Sequence, residues 1–379
     1  TASGLILGTW ANWVLTAKRL RTYTEIADNS LTIPDYLSNR FKDKKNILRF
    51  ICAIFIMIFF IIYTSSGFVA AGKLFNTIFN IPYTTALLIG TFVVVFYTFL
   101  GGFGAVALTD FVQGTMMFFT VLYVPVAATF ALGGPAPTWH ALSKEGADFF
   151  SLLPPSTSGM ANLILFLSCA GWGLGYFGMP HILLRFMAIE DENKLTLSRR
   201  IASVWVVISM FVAILIGIIG YSASVPMLST SSQSETIIIQ LSGLLGQNGF
   251  LLSIIAGIVL AGILASTMST ADSQLLTAAS GISQNLLQDF LKIKMDTKTS
   301  MRAARLTVIG IALVAVVLAW NPDSSVFTIV SFAWAGFGAS FGPVMLFALF
   351  WKRSNRQGVL AGLAAGGLMI FIWKFCQDL

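Results

Sequence analysis

Long apolar runs separated by short polar connectors recur from one end of the chain to the other, and this pattern leaves very few folds open. In lipid every peptide N–H and C=O has to be bonded inside the protein, so only helices or a closed barrel can cross. The runs here are continuous, without the alternation of a barrel strand, so they are helices. With 56% hydrophobic and 10% charged residues, a water-soluble surface could not be covered. The chain therefore reads as an all-α polytopic membrane protein forming a single transmembrane domain over residues 1–379. About ten segments are expected, at 1–17, 46–72, 84–100, 103–132, 159–180, 200–226, 248–275, 303–320, 325–351 and 357–375. Three connectors carry short helices of their own: one starting at Thr32-Ile33-Pro34-Asp35, one over Trp139 to Phe150, and one over Ser234 to Gly246.

The formal charge of +7 does not describe a nucleic-acid-binding face, because the basic residues are clustered. Twenty of the 23 lysines and arginines fall on alternate connectors: 18–49, 185–200, 292–305 and 352–356. The positive-inside rule places those connectors in the cytoplasm. Only Lys73, Lys144 and Lys374 lie on the other side. The alternation requires 84–100 and 103–132 to be two helices, joined by a tight turn at Gly101-Gly102.

One apolar run is built to break. Gly171 to Pro180, GWGLGYFGMP, places glycines, two polar-tipped aromatics and a proline within ten residues. Irregular backbone at membrane depth is tolerated only where protein buries it or a cavity receives it, so this stretch is a candidate binding site. Trp172 and Tyr176, at i and i+4, share a face and could wall a pocket; such residues also mark membrane interfaces. The glycine density favours the pocket. Tyr63, followed by Thr64, Ser65 and Ser66, gives another helix a polar inner face.

Two further features carry polar chemistry in apolar surroundings. Asp110, with Thr109 and Gln113 nearby, is an intramembrane carboxylate facing a cavity, an ion or a partner; the alternative is a structural carboxylate paired to a basic residue near the cytoplasmic edge. Asp272 invites the same argument more weakly, because its helix could run on into the cytoplasm and leave it wet. Ser266, Ser269, Thr270 and Ser273 fall at i, i+3, i+4 and i+7, on one helical stripe. Hydroxyls with backbone carbonyls suit a hard monovalent cation such as Na⁺, although small residues and hydroxyls also line ordinary helix contacts in membranes. Cys52, Cys169 and Cys376 lie in apolar segments without metal-ligand spacing, and His140 and His181 are too far apart to pair on a metal. GFGAS at 336–340 and GGFG at 101–104 lack the strand that a phosphate loop needs, and no nucleophile elbow occurs, so a transporter is expected rather than an enzyme.

YTFLGGFGAVALTDFVQG, from Tyr97 to Gly114, resembles the signature of the sodium:solute symporter family. GWGLGYFGMPHILLRFMA, LASTMSTADSQLL and WNPDSSVFTIVSFAWAGFGASFGPV are most similar to its sodium/proline branch. The resemblance implies a LeuT-type core of two inverted five-helix repeats and sodium-coupled uptake of L-proline across a bacterial inner membrane. It implies Na⁺ bound by the hydroxyls of Ser269 and Thr270 and the carbonyl of Ser266. The proline site would comprise Tyr63, Trp172, Tyr176 and Pro180, with Pro180 at the intracellular end of the break, and Asp110 would lie on the sodium path to the cytoplasm. Another solute of the family (a betaine, pantothenate, a sugar acid) or the membrane domain of a sensor kinase are the alternatives. The resemblance also makes 1–17 the end of the second core helix. A chain starting at Thr1 is then expected to lack the first core helix and to hold half of each site; sodium-driven uptake of labelled proline by residues 1–379 alone would refute that.

Overall fold

The computed structural model describes residues 1–100, 103–151, 159–223, 228, 230–247 and 249–376. No strand occurs among them. The first helix, α1 (Ala2–Asn12), does not stop at residue 17: it passes through a π-helical turn, Trp13–Ala17, into α2 (Lys18–Ile26). The chain leaves the apolar layer within one continuous rod, so the short apolar run at 1–17 is only part of its helix. Then α3 (Ile33–Arg40) starts as expected, with the Thr32 hydroxyl accepting from the Asp35 N–H and donating to its carboxylate at 2.7 Å. Next come α4 (Ile47–Phe79), α5 (Tyr83–Leu100), α6 (Phe103–Ala131) and α7 (Pro135–Ser143). The expected Gly101-Gly102 turn lies outside the described residues. The outer helix expected over 139–150 begins earlier, at Pro135, because proline after Gly134 is preset for the first turn; it ends before Gly146, whose φ of +84° a helix cannot hold.

The run at 159–180 is three pieces: α8 (Met160–Gly171), a 3₁₀ stretch (Trp172–Gly178) and, after an extended Met179, α9 (Pro180–Met187). The rest follows as α10 (Leu195–Ser222), α11 (Ser231–Ser234), α12 (Ile237–Gly246), α13 (Phe250–Ser280), α14 (Thr297–Leu318), α15 (Val326–Phe350) and α16 (Arg356–Phe375). A π-helical extension, Gly281–Phe290, prolongs α13 beyond the expected 275. Among the described residues eight helices are long and apolar enough to cross a membrane, fewer than the ten segments expected. The shorter α5 and the composite α1–α2 make up the difference.

The middle of the molecule is α4, which packs against α5, α13, α14 and α15. It overshoots the expected 46–72 by two turns and ends at Asn80, whose left-handed φ of 52° terminates the helix. Phe59, Phe60 and Phe68 on it are fully buried, and Phe59 and Phe60 meet Phe337 of α15. The overshoot places Lys73 in apolar surroundings, and the cation is answered there. Its ammonium donates to Glu235 at 2.7 Å and to the carbonyls of Ser324 and Ser232 at 2.8 and 3.1 Å. Glu235 in turn accepts from the N–H groups of Val326 and Phe327 at 3.0 and 2.9 Å, capping α15. One ion pair thus ties α4, the outer loop around α11 and the start of α15. The opposite end of α4 is held similarly: Arg49 pairs with Asp35 of α3 at 3.1 Å, and Asn285 of the π-helical extension donates to Asp35 at 2.9 Å.

Burial pushes the Glu235 carboxyl up, but Lys73 and the N–H groups of Phe327 and Val326 outweigh it and hold the group below its ordinary range. A depressed carboxyl stabilises the fold above its unfolded value of about 4.3, and that contribution is lost as pH falls through the lower folded value. Glu235→Gln is therefore expected to cost about 3 kcal/mol at pH 7. In thermal melts, the gap between variant and wild type should close below about pH 4.

Candidate functional site: the broken helix and its neighbours

The break is assembled from three sides. Asn12 on α1, buried, donates its Nδ2 to the Tyr176 carbonyl at 3.1 Å. From α15, the Trp334 indole N–H donates to the Trp172 carbonyl at 2.8 Å. The same indole lies 6.3 Å from the Trp172 ring in a stacked arrangement and meets Tyr176 edge-on at 5.0 Å. Phe327, in the first turn of α15, stacks on the other part of Trp172 at 5.1 Å.

The glycines of this stretch serve packing. A methyl on Gly173 would strike the backbone of Gly4 and Gly8 on α1; on Gly175 it would strike the Trp334 ring; on Gly178 it would strike the Phe337 carbonyl. Of the four, Gly171 alone has open space beside it. The glycines therefore admit the close approach of α1 and α15, which small residues permit in membranes, and Gly171 and Gly175 also border a cavity. A cavity of about 670 Å³ between α8, α15 and α16 does border Trp172, along with Ser168, Ser331 and Lys374. Tyr63, Tyr176, Pro180 and the serine stripe do not line it.

The other candidate solute residues occupy different levels. Pro180 is buried at the first position of α9, with no N–H to leave unsatisfied. Tyr63, half-buried on α4, presents its ring edge-on to His181 at 6.3 Å, so it meets the helix below the break. Trp172 and Tyr176 are brought together; Tyr63 faces the neighbour of Pro180.

The serine stripe of α13 is divided in two. The hydroxyls of Ser269 and Thr270 both donate to the Ser266 carbonyl at 3.2 Å, so three oxygens converge at one point, and Thr270 is exposed. Hard neutral oxygens of this type fit a small monovalent cation, and three are too few to replace its water unaided. Ser273, one turn on, belongs elsewhere. It donates to Asp110 of α6 at 3.4 Å and accepts from Arg185 of α9 at 3.2 Å, while Arg185 pairs with Asp110 at 2.6 Å. Asp110 thus has the basic partner that its alternative reading required, and it also faces a cavity, of about 500 Å³, lined with Thr98, His181, Arg185, Ser273 and Arg305. Tyr97 and Thr109, in hydrogen-bond contact, join α5 to α6 beside it.

Asp272 is not wet. It is fully buried, with no ion-pair partner among the described residues, because α13 continues for five more turns of α- and π-helix under cover of α3 and α4. Asn12, Trp334, Lys73 and Glu235 were not singled out from sequence. For Lys73 a signal existed, since a lysine within an apolar run needs a partner.

The sequence profile of the sodium:solute symporter family matches residues 1–366. The chain belongs to the sodium:solute symporter family. The symporter is 44% identical over 370 residues to the high-affinity proline transporter PutP of Bacillus subtilis, covering 98% of this chain and 76% of that one. It is 41% identical to the sodium/proline symporter of Escherichia coli, with coverage of 98% and 73%. Its fold is that of a Na⁺-coupled sialic acid symporter solved in a substrate-bound outward-open state. The TM-score is 0.77 over 99% of this chain and 78% of that one, at 15% identity. The LeuT-type architecture expected from the sequence is thereby established, and the symporter is a multi-pass membrane protein.

The packing of α1 on the break gives a direct test. Gly8→Ala in this symporter forces the α1 backbone away from Gly173 and should cost about 1–3 kcal/mol. Thermal melts of the purified protein measure it, with Gly171→Ala, which meets open space, as the variant that stays near wild type.

Proposed function

We propose that this symporter takes up L-proline into the bacterial cytoplasm, driven by inward flow of Na⁺. The observation that carries the reading is the 41–44% identity, over 98% of the chain, to proteins named as proline transporters. No covalent step is involved: the protein moves its cargo by exposing a midplane site first to one side and then to the other.

In this reading Na⁺ is cargo, and it takes the Ser266 carbonyl and the Ser269 and Thr270 hydroxyls after those hydroxyls give up their bonds to that carbonyl. Trp172 and Tyr176 offer aromatic surface to the apolar ring of proline, and Tyr63 of α4 bounds the site at the level of His181. Pro180 fixes the point at which regular helix resumes. Asp110 stands at the edge of the cavity of about 500 Å³, which Arg305 in the first turns of α14 also lines. A carboxylate there lowers the barrier to a cation leaving inwards, and Arg185 limits how long the ion stays by competing for the same oxygen.

Uptake of labelled proline by the full-length protein in proteoliposomes, with and without a sodium gradient, tests the reading. Ser269→Ala and Thr270→Ala should each raise the half-saturating sodium concentration by about tenfold, one lost ligand being worth about 1.4 kcal/mol. Trp172→Ala should raise the KM for proline by about tenfold and shift sodium half-saturation by less. Unchanged sodium dependence in both hydroxyl variants would return the stripe to helix packing.

A further inference from the structure

Breaking a helix at membrane depth creates two problems, and the structure answers both with the same two side chains. The first is chemical: a 3₁₀ stretch keeps only i→i+3 bonds of poorer geometry, so its carbonyls are left with weaker partners where water does not make up the difference. The second is geometric: a 3₁₀ stretch with this many glycines has many accessible backbone shapes. Asn12 from α1 and Trp334 from α15 reach the stretch from different helices and bond carbonyls four residues apart, at Tyr176 and Trp172. These carbonyls belong to the two aromatic residues themselves, so each bond fixes the backbone from which one ring projects.

The two donors are also seated so that they cannot easily swing away. Asn12 is 1% exposed and Trp334 9% exposed. The Trp334 ring lies where a side chain on Gly175 would be, and α1 lies where one on Gly173 would be. Trp334 further contacts both rings, stacked on Trp172 and edge-on to Tyr176. We infer that Asn12 and Trp334 are positioning residues of this symporter: by bonding the Tyr176 and Trp172 carbonyls they set the orientation of the two aromatic side chains that meet the solute. The inference rests on the solute reading above for what those aromatics do, and on the geometry alone for how they are held.

The test compares full-length wild type, Trp334→Phe and Asn12→Leu in proteoliposomes. Trp334→Phe keeps an aromatic ring and removes the N–H; Asn12→Leu keeps the volume and removes the amide. In each, the KM for proline at saturating sodium should rise by about tenfold, with sodium half-saturation at saturating proline moving less than about twofold. In parallel, hydrogen exchange of the amides at 172–178 should quicken by about tenfold, with those of α13 unchanged. Should Asn12→Leu fail to fold, Trp334→Phe decides. A proline KM within about twofold of wild type in a folded variant overturns the inference, as does unaltered exchange at 172–178. If wild type itself takes up no proline with sodium, the solute reading fails, and the exchange measurement alone upholds or overturns the positioning roles.

Discussion

The structure depends on one constraint: peptide groups released from a helix inside a bilayer have to be bonded by protein. The 3₁₀ stretch from Trp172 to Gly178 bonds its peptide groups less well than an α-helix does, and donors from two surrounding helices reach its carbonyls. Gly4 and Gly8 let α1 touch the backbone of the break, which brings Asn12 within reach of Tyr176. Gly175 makes room for the Trp334 indole, whose N–H reaches Trp172. Close approach and hydrogen bonding are thus one device. Glycine permits the contact, and the donor it admits supplements the poorer bonds of the 3₁₀ backbone.

The break needs a frame that stays put, and α4 supplies it. Its aromatic middle is buried against α15, and each end is fastened by a charge that the sequence places beside a partner from a distant loop. Lys73 and Glu235 hold the outer end to the start of α15, directly above the Phe327 ring that stacks on Trp172. Arg49 and Asp35 hold the inner end to the π-helical extension of α13. A shift of either loop would therefore be felt at the helix bearing the candidate sodium oxygens or at the one covering the break. These fastenings are ion pairs, and charges partly removed from water are costly to separate.

Much of the candidate site was legible in residue spacing, and the errors were informative. The break itself and the convergence of Ser266, Ser269 and Thr270 follow from short-range geometry, which spacing encodes; Trp172 and Tyr176 meet through Trp334, because in a 3₁₀ stretch i and i+4 do not share a face. Ser273 looked like a fourth member of that stripe, but helical spacing says which face a residue lies on, not which neighbour it meets one turn lower; Asp110 and Arg185 claim it. For Asp272 the sequence leaves burial and exposure both open, because it does not reveal what covers a helix after it leaves the apolar layer; packing buries it. Glycine composition is the same whether a solute or another helix comes close: Gly171 and Gly175 border a cavity, while Gly173 and Gly178 admit α1 and α15.

What the sequence alone determined is the position of nearly all the membrane helices and the place where one helix breaks; charge asymmetry adds an expected side for each connector. These follow from transfer free energy, charge asymmetry and local backbone chemistry, all of which act along the chain. Tertiary structure decided which helix touches the break, which cation answers which carboxylate, and why each glycine is a glycine. Those depend on residues far apart in sequence: Asn12 and Tyr176 are 164 positions apart, Lys73 and Glu235 162. Only packing, limited by the size of side chains and the need to satisfy every buried polar group, brings them together.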